Sequence, residues 1–112
     1  MEINPILNRL KDFAERTASL RSYLEYDVTA ERLEEVEREL EDPTVWNDPA
    51  NAQKLGKERS ALEMIVKSID ELTSGVDDCR ELLEMAVEEN DEDTLNEVVI
   101  EVDRLGEILS KL

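Results

Sequence analysis

The chain has 112 residues, and its 30 acidic residues against 13 basic ones give it a net charge of −17 at pH 7. This charge repels nucleic-acid phosphates and anionic lipid, so most of the surface is not expected to bind either. The sequence has no histidine and one cysteine. This excludes the usual general base, the usual zinc ligand and an internal disulfide.

The composition is that of a helical protein. Three glycines, three prolines and 4% aromatic residues accompany 40% hydrophobic residues, whereas an all-β chain needs more turn residues and more apolar alternation. The length corresponds to about one domain. No apolar run approaches the roughly 18–20 residues of a membrane span, and the sequence does not begin with a secretory pattern. We therefore predict a cytoplasmic protein without a membrane partner.

The first predicted helix runs from Pro5 to about Leu24, with Asn4 as its N-cap and proline in its first turn. Apolar residues recur along it at a period near 3.5. Arg9 and Arg16 lie seven residues apart and share a face. They either contact an acidic partner or RNA, or pair with the chain's own acids. We favour pairing within the chain because its acids are so abundant.

The second predicted helix is capped by Asp27 or Thr29 and ends at Asp42-Pro43, because the residue before proline avoids the helical conformation. Six glutamates form its outer face, which is expected to be solvated: Glu31, Glu34, Glu35, Glu37, Glu39 and Glu41. The connector that follows, Thr44 to Asp48, contains Trp46. This tryptophan either contacts a partner or covers the end of the helical bundle, and we favour the second interpretation.

A long helix is predicted from Pro49 to about Glu89. Nine of its apolar residues, here called the apolar ladder, form two series with a seven-residue repeat, offset by three: Leu55, Leu62, Ile69, Val76 and Leu83, and Ile65, Leu72, Cys79 and Ala86. Such a stripe packs against partner helices. Gly75 is the weak point, but the apolar phase passes through it, so the helix is predicted to be continuous. Glu58 stands where the second series requires an apolar side chain.

The last predicted helix is capped by Asp91 and runs to Leu112 with no glycine or proline to close it, as in a longer protein. A short turn joins it to the long helix, so the two are expected to run antiparallel. We predict an all-α fold over residues 1–112. It is an antiparallel three- to four-helix bundle in one domain, with a long central helix and a monomeric state.

The sequence also bears on two further classes of function, an adaptor and an enzyme. The chain could instead be a stand-alone acidic coiled-coil adaptor or scaffold that dimerises through the apolar ladder. An enzyme using paired carboxylates is disfavoured by the lack of histidine and of any convergent polar cluster. A calcium loop starting at Asp91 has Asn96 and Val102 where glycine and glutamate are required. We predict no catalytic residue, no cofactor and no metal.

Four stretches of the sequence carry a resemblance to a known family: Glu2–Pro5, Leu20–Asp27, Glu31–Glu63 and Leu82–Glu97. The most specific part is Pro43–Pro49 (PTVWNDP), followed by Leu55–Arg59 (LGKER). Together they resemble the N-terminal domain of the bacterial peptide chain release factor 2 family of class I release factors. The resemblance covers essentially all 112 residues.

The resemblance implies a role in translation termination at UGA and UAA stop codons. In the family, the codon-reading Ser-Pro-Phe and the hydrolytic Gly-Gly-Gln lie in later domains, and this sequence contains neither. The implied domain is non-catalytic and has no direct codon or tRNA contact. It reaches toward the stalk-base protein of the large ribosomal subunit and is linked to the GTPase release factor. Residues with a predicted partner contact are Arg9, Arg16 and Trp46.

Overall fold

The structure, a computed structural model, describes residues 2–112, and all its regular structure is helical. The elements are α1 (Asn4–Tyr23), α2 (Tyr26–Glu41), a 3₁₀ turn (Pro43–Asn47), α3 (Pro49–Glu89) and α4 (Glu92–Ser110). The prediction of an all-α bundle with one long helix is confirmed. Among the described residues, none of the helices is both long and apolar enough to cross a membrane.

The chain divides into two compact units. The first, the three-helix unit, consists of the described part of Met1–Leu20 together with Ser68–Leu112. The second, the α2 unit, is Arg21–Lys67. Helix α3 contributes its first half to the α2 unit and its second half to the three-helix unit. One domain over residues 1–112 stays a prediction, because two compact units can belong to one domain.

The three-helix unit is built around a buried apolar cluster to which α1, α3 and α4 all contribute. Its members are Ile6, Leu10, Phe13, Leu72, Val76, Cys79, Leu83, Val98, Val102, Leu105 and Leu109. The ladder from Ile69 onward is buried here. Arg9 of α1 meets Asp103 of α4, and Phe13 lies near Gly106. Helix α1 therefore runs parallel to α4, and both run antiparallel to α3.

Helix α3 is continuous through Gly75, as predicted. The glycine is buried, and a Cβ atom built on it would lie 2.6 Å from the Leu105 Cδ2 atom of α4. A contact that short is not possible for a real Cβ in an unshifted core. Glycine is thus present where α3 and α4 approach closely, at a cost of about 1 kcal/mol in helix propensity against alanine.

Among residues 2–112, two non-glycine residues have positive φ, and each lies at a turn between two helices. Asn90 (φ 52°) follows α3, and the amides of Asn90 and Asp91 donate to the carbonyls of Val87 and Ala86. These two hydrogen bonds close the end of α3, and asparagine tolerates the left-handed conformation. Glu25 (φ 50°) plays the corresponding part between α1 and α2, without the advantage of a glycine or asparagine.

The predicted start of α2 was wrong. The helix begins at Tyr26, next to left-handed Glu25, and no side chain caps it. Thr29 instead donates its hydroxyl to the Leu24 carbonyl, and Asp27 pairs with Arg21 at 3.6 Å. The helix starts at left-handed Glu25, whose carbonyl accepts the Thr29 amide at 2.9 Å as an N-cap carbonyl does in any helix, and no side-chain cap assists it.

The starts of α3 and α4 agree with prediction, whereas the predicted N-cap of α1, Asn4, was wrong by one residue. Asp48 and Asp91 cap α3 and α4, accepting the backbone amides of Asn51 and Thr94 at 3.3 and 3.1 Å. Helix α1 already includes Asn4, so the cap position falls on Ile3, whose carbonyl accepts the Leu7 amide at 2.9 Å. The end of α2 before Pro43 is confirmed.

Replacing Thr17 by valine should raise the free energy of unfolding by about 1 kcal/mol, because a buried hydroxyl without a partner carries an uncompensated desolvation cost. Thr17 is 5% exposed, and its Oγ1 atom has no hydrogen-bond partner within the described chain. Valine is similarly branched and has a similar helix propensity. Urea unfolding measures the change. Thr73→Val is the control and should give no gain, because the Thr73 hydroxyl donates to the Ile69 carbonyl.

Candidate partner-binding surface

The two arginines predicted from the sequence both pair with acids of their own chain. Arg9 donates to Asp103 at 2.8 Å, and its guanidinium lies 5.5 Å from the centre of the Phe13 ring. Arg16 lies 3.5 Å from Asp12, one turn earlier on α1. Both ion pairs are exposed, where such pairs contribute little to stability. The structure therefore shows the intramolecular alternative, and a partner contact at Arg9 or Arg16 stays a prediction.

Trp46 lies on the 3₁₀ turn with 61% of its surface exposed. Its indole N–H donates to the Leu40 carbonyl at 3.2 Å. The ring thus ties the connector to the end of α2, and more than half of its surface is open to solvent. Both a partner contact and the favoured cover over the end of the bundle stay predictions for Trp46. An exposed tryptophan in a fixed position is a typical anchor for a protein partner.

The connector that holds Trp46 is itself well ordered by local hydrogen bonds. Asp42 accepts both the backbone amide and the hydroxyl of Thr44, at 2.9 and 2.8 Å. The Thr44 amide, then its hydroxyl, hold the pKa of Asp42 below its ordinary value. The carboxylate is therefore ionised near neutral pH and stabilises the start of the 3₁₀ turn.

The acidic outer face of α2 is solvated, as predicted. All six of its glutamates are exposed: Glu31, Glu34, Glu35, Glu37, Glu39 and Glu41. The segment from Glu25 to Pro49 holds ten acidic and two basic residues, a net charge of −8. This surface attracts cations and repels phosphate groups.

Arg32 and Glu58 join α2 to α3 where the apolar ladder is interrupted. The Arg32 Nε and Nη2 groups donate to the two Glu58 carboxylate oxygens at 2.6 and 3.1 Å. Glu35 accepts a third bond from Arg32, at 3.2 Å. The hydrogen bonds from Arg32 lower the pKa of Glu58, and those to Glu58 and Glu35 raise the pKa of Arg32. A bidentate ion pair thus stands at position 58, where the seven-residue repeat of the apolar ladder would have placed an apolar contact.

Replacing Glu58 by glutamine should make the α2 unit less stable at neutral pH but not in acid. The pKa of Glu58 in the folded chain lies below its ordinary 4.5. Its ionised form therefore stabilises the fold above that pH, and the contribution disappears as the pH falls through the folded-state pKa. The stability difference between wild type and Glu58→Gln, measured by thermal unfolding, should shrink steadily below pH 4.5. The exposed Glu34→Gln variant removes the same charge. An equal pH-dependent difference there would contradict the role of the pair.

Cysteine and aspartate often act in catalysis or bind metals, but Cys79 and Asp91 have structural roles here. Cys79 is buried, and desolvation first, then Glu101 and Asp78, raise the pKa of its thiol to about 11, so it stays protonated near neutral pH. Asp91 is held by Thr94, whose hydroxyl and then amide lower the pKa of the carboxyl. Within residues 2–112 no group of three acidic or cysteine side chains converges as a metal site would require.

Comparison with known proteins assigns the chain to a family. A family model described as the PCRF domain matches residues 29–112. The peptide chain release factor 2 of Yersinia enterocolitica is 58% identical over 111 residues, which is 99% of this chain and 30% of that protein. That of Aeromonas hydrophila is 61% identical over 104 residues, 93% of this chain and 28% of that protein. The chain belongs to the peptide chain release factor 2 family. It spans less than a third of the length of these relatives.

The candidate contact residues of this release factor domain fall into two groups, one inside the segment matched by the PCRF family model and one outside it. The match begins at Thr29, so it includes Trp46 and all six glutamates of the acidic face of α2. It leaves out α1, with Arg9 and Arg16. The three-helix unit nevertheless takes part of its core from α1, so the folded unit is larger than the matched segment.

Proposed function

We propose that this chain is the non-catalytic N-terminal domain of a cytoplasmic class I release factor that terminates translation at UGA and UAA. The observation that carries the proposal is its 58% identity to a peptide chain release factor 2 over 99% of its residues. The sequence contains neither Gly-Gly-Gln nor Ser-Pro-Phe, the motifs that the family resemblance assigns to peptide release and codon reading. In this proposal the domain binds a partner and thereby positions the release factor on the ribosome.

The partners proposed for the domain are the stalk-base protein of the large ribosomal subunit and the GTPase release factor. The acidic α2 segment supports a basic protein as partner, because its net charge of −8 repels ribosomal RNA. The exposed Trp46 supports a protein contact on the same unit. We propose that the acidic face meets basic ribosomal protein or stands clear of RNA.

A chimaeric release factor tests this function. This chain replaces the corresponding segment of the Aeromonas hydrophila factor, which is 61% identical to it. In a reconstituted termination assay the chimaera should release peptide at UGA and UAA but not at UAG. The isolated chain should release none. A chimaera that folds but cannot terminate, or an isolated chain that hydrolyses peptidyl-tRNA, would contradict the proposal.

The proposed partner is tested on the same chimaera. Removing the stalk-base protein from the ribosomes should weaken binding of the chimaera and of the unmodified factor alike. A factor that lacks the segment should bind both kinds of ribosome equally. Equal binding of the chimaera to ribosomes with and without the stalk-base protein would rule out that protein as a partner.

Light scattering separates this proposal from the stand-alone adaptor. In the three-helix unit the ladder residues Leu72, Val76, Cys79 and Leu83 pack in the core with α1 and α4, so this part of the ladder is not available as a dimer seam. We expect the mass of a single chain at micromolar concentration. A stable dimer that dissociates on mutation of the ladder would favour the adaptor.

A further inference from the structure

An open groove of about 530 Å³ lies in the α2 unit. It is bounded by the last turns of α2, by the Trp46 ring and by the first turns of α3. All of its lining residues belong to the α2 unit. The groove therefore depends on a single compact part of the molecule.

The apolar part of the lining, here called the floor, consists of Leu40, Ala52 and Gly56, and the last of these has no side chain. Ala52 is buried and Leu40 is half-buried, so both present aliphatic surface. A Cβ atom built on Gly56 would have no atom within 4 Å. Glycine is unfavourable in the interior of a helix, and here no close neighbour requires it. Its effect is to leave room for an apolar side chain from outside.

One wall of the groove is set in position before any ligand arrives. The hydrogen bond from the Trp46 indole to the Leu40 carbonyl fixes the ring, and the bonds from Thr44 to Asp42 fix the turn that carries it. A large aromatic surface that is already ordered loses little conformational entropy on binding.

The rim of the groove is acidic. Glu37 and Glu41 are exposed, and neither has an ion-pair partner among residues 2–112. Arg59, the one basic lining residue, is 3.7 Å from Glu63 on its own helix. The rim thus favours a cationic ligand, while the floor favours an apolar one.

We propose that this groove binds a basic protein segment, which inserts one apolar side chain over Gly56 beside Trp46 and places lysine or arginine against Glu37 and Glu41. RNA is the wrong occupant, because the same carboxylates repel its phosphates. The site depends only on the groove and stands whether or not the chain acts in termination.

Trp46 is the only tryptophan, so its fluorescence reports on the groove directly. The probe is a short synthetic lysine–alanine peptide with one central leucine. We expect a saturable blue shift of the emission, and about tenfold weaker binding of the same peptide with the leucine replaced by alanine, since a buried leucine contributes about that factor. Equal binding of the two peptides, or an equal shift with a single-stranded RNA oligonucleotide, would overturn the proposal.

Two variants test the floor and the rim separately. Gly56→Leu should fill the space and weaken the leucine peptide about tenfold, measured by the anisotropy of a dye-labelled peptide. Glu37→Gln with Glu41→Gln should weaken binding and flatten its salt dependence. The matched control, Glu88→Gln with Glu89→Gln, removes the same charge from the far end of α3. Unchanged binding by Gly56→Leu, with its helix content intact, or equal losses from the two glutamine pairs, would refute the site.

Discussion

Truncating Leu105 to alanine should lower the free energy of unfolding by about 3 kcal/mol, and adding Gly75→Ala should then restore part of that loss. Leu105 is fully buried in the three-helix unit. Its removal forfeits the transfer energy of the side chain and leaves a cavity. The cavity would lie against Gly75, because the Leu105 Cδ2 atom is only 2.6 Å from the place where a Cβ on residue 75 would sit.

In the wild-type background the same Gly75→Ala change should be destabilising. The new methyl group competes with a buried leucine for one position, which costs about 1–3 kcal/mol of overpacking, against a gain of about 1 kcal/mol in helix propensity. Once Leu105 is shortened, the clash is gone and the methyl fills part of the cavity. Gly75→Ala should therefore change sign between the two backgrounds.

Urea unfolding of the four chains measures the cycle, and Gly56→Ala serves as the control. A Cβ at Gly56 meets nothing within 4 Å, so that variant should gain about 1 kcal/mol from helix propensity alone. Strict additivity of Gly75→Ala and Leu105→Ala would show that α3 and α4 do not approach each other at this point.

The sequence predicts the helices well because their ends are marked by local chemistry. Asp48 before Pro49 and Asp91 before α4 cap their helices with their own side chains, a contact within three residues that any such pattern reveals. The buried half of the ladder was predicted for the same reason, since its periodicity is a local property. The corner at Glu25 was missed, because glutamate is not a residue typical of the left-handed region.

The candidate site was less accessible to sequence reasoning, because it depends on contacts between distant residues. Glu58 was recognised only as an interruption of the ladder, while Arg32, its partner 26 residues earlier, gave no signal of its own. Trp46 was singled out, but its exposure depends on how the 3₁₀ turn places the ring. The groove needs Gly56 beside that ring, a neighbourhood that only the antiparallel packing of α2 on α3 creates.

A fragment limited to residues 29–112, the segment matched by the PCRF family model, should fail to form the three-helix unit. This fragment lacks α1, which contributes Ile6, Leu10 and Phe13 to the buried cluster. Burying three such side chains is worth roughly 5–9 kcal/mol, which is comparable to the whole stability of a typical domain. We expect dye binding to exposed apolar surface, and loss of amide-exchange protection in α4 and the second half of α3.

The reason lies in how the core is shared. Helices α3 and α4 each present one apolar stripe, and a helix pair alone leaves part of both stripes in water. Helix α1 covers that remainder, even though it comes from the other end of the sequence. Adding a synthetic peptide of residues 2–24 to the fragment should therefore restore exchange protection, whereas the same peptide with Phe13→Ala should not. Cooperative unfolding of the fragment at the stability of the full chain would show that α1 is an accessory to the unit rather than part of its core.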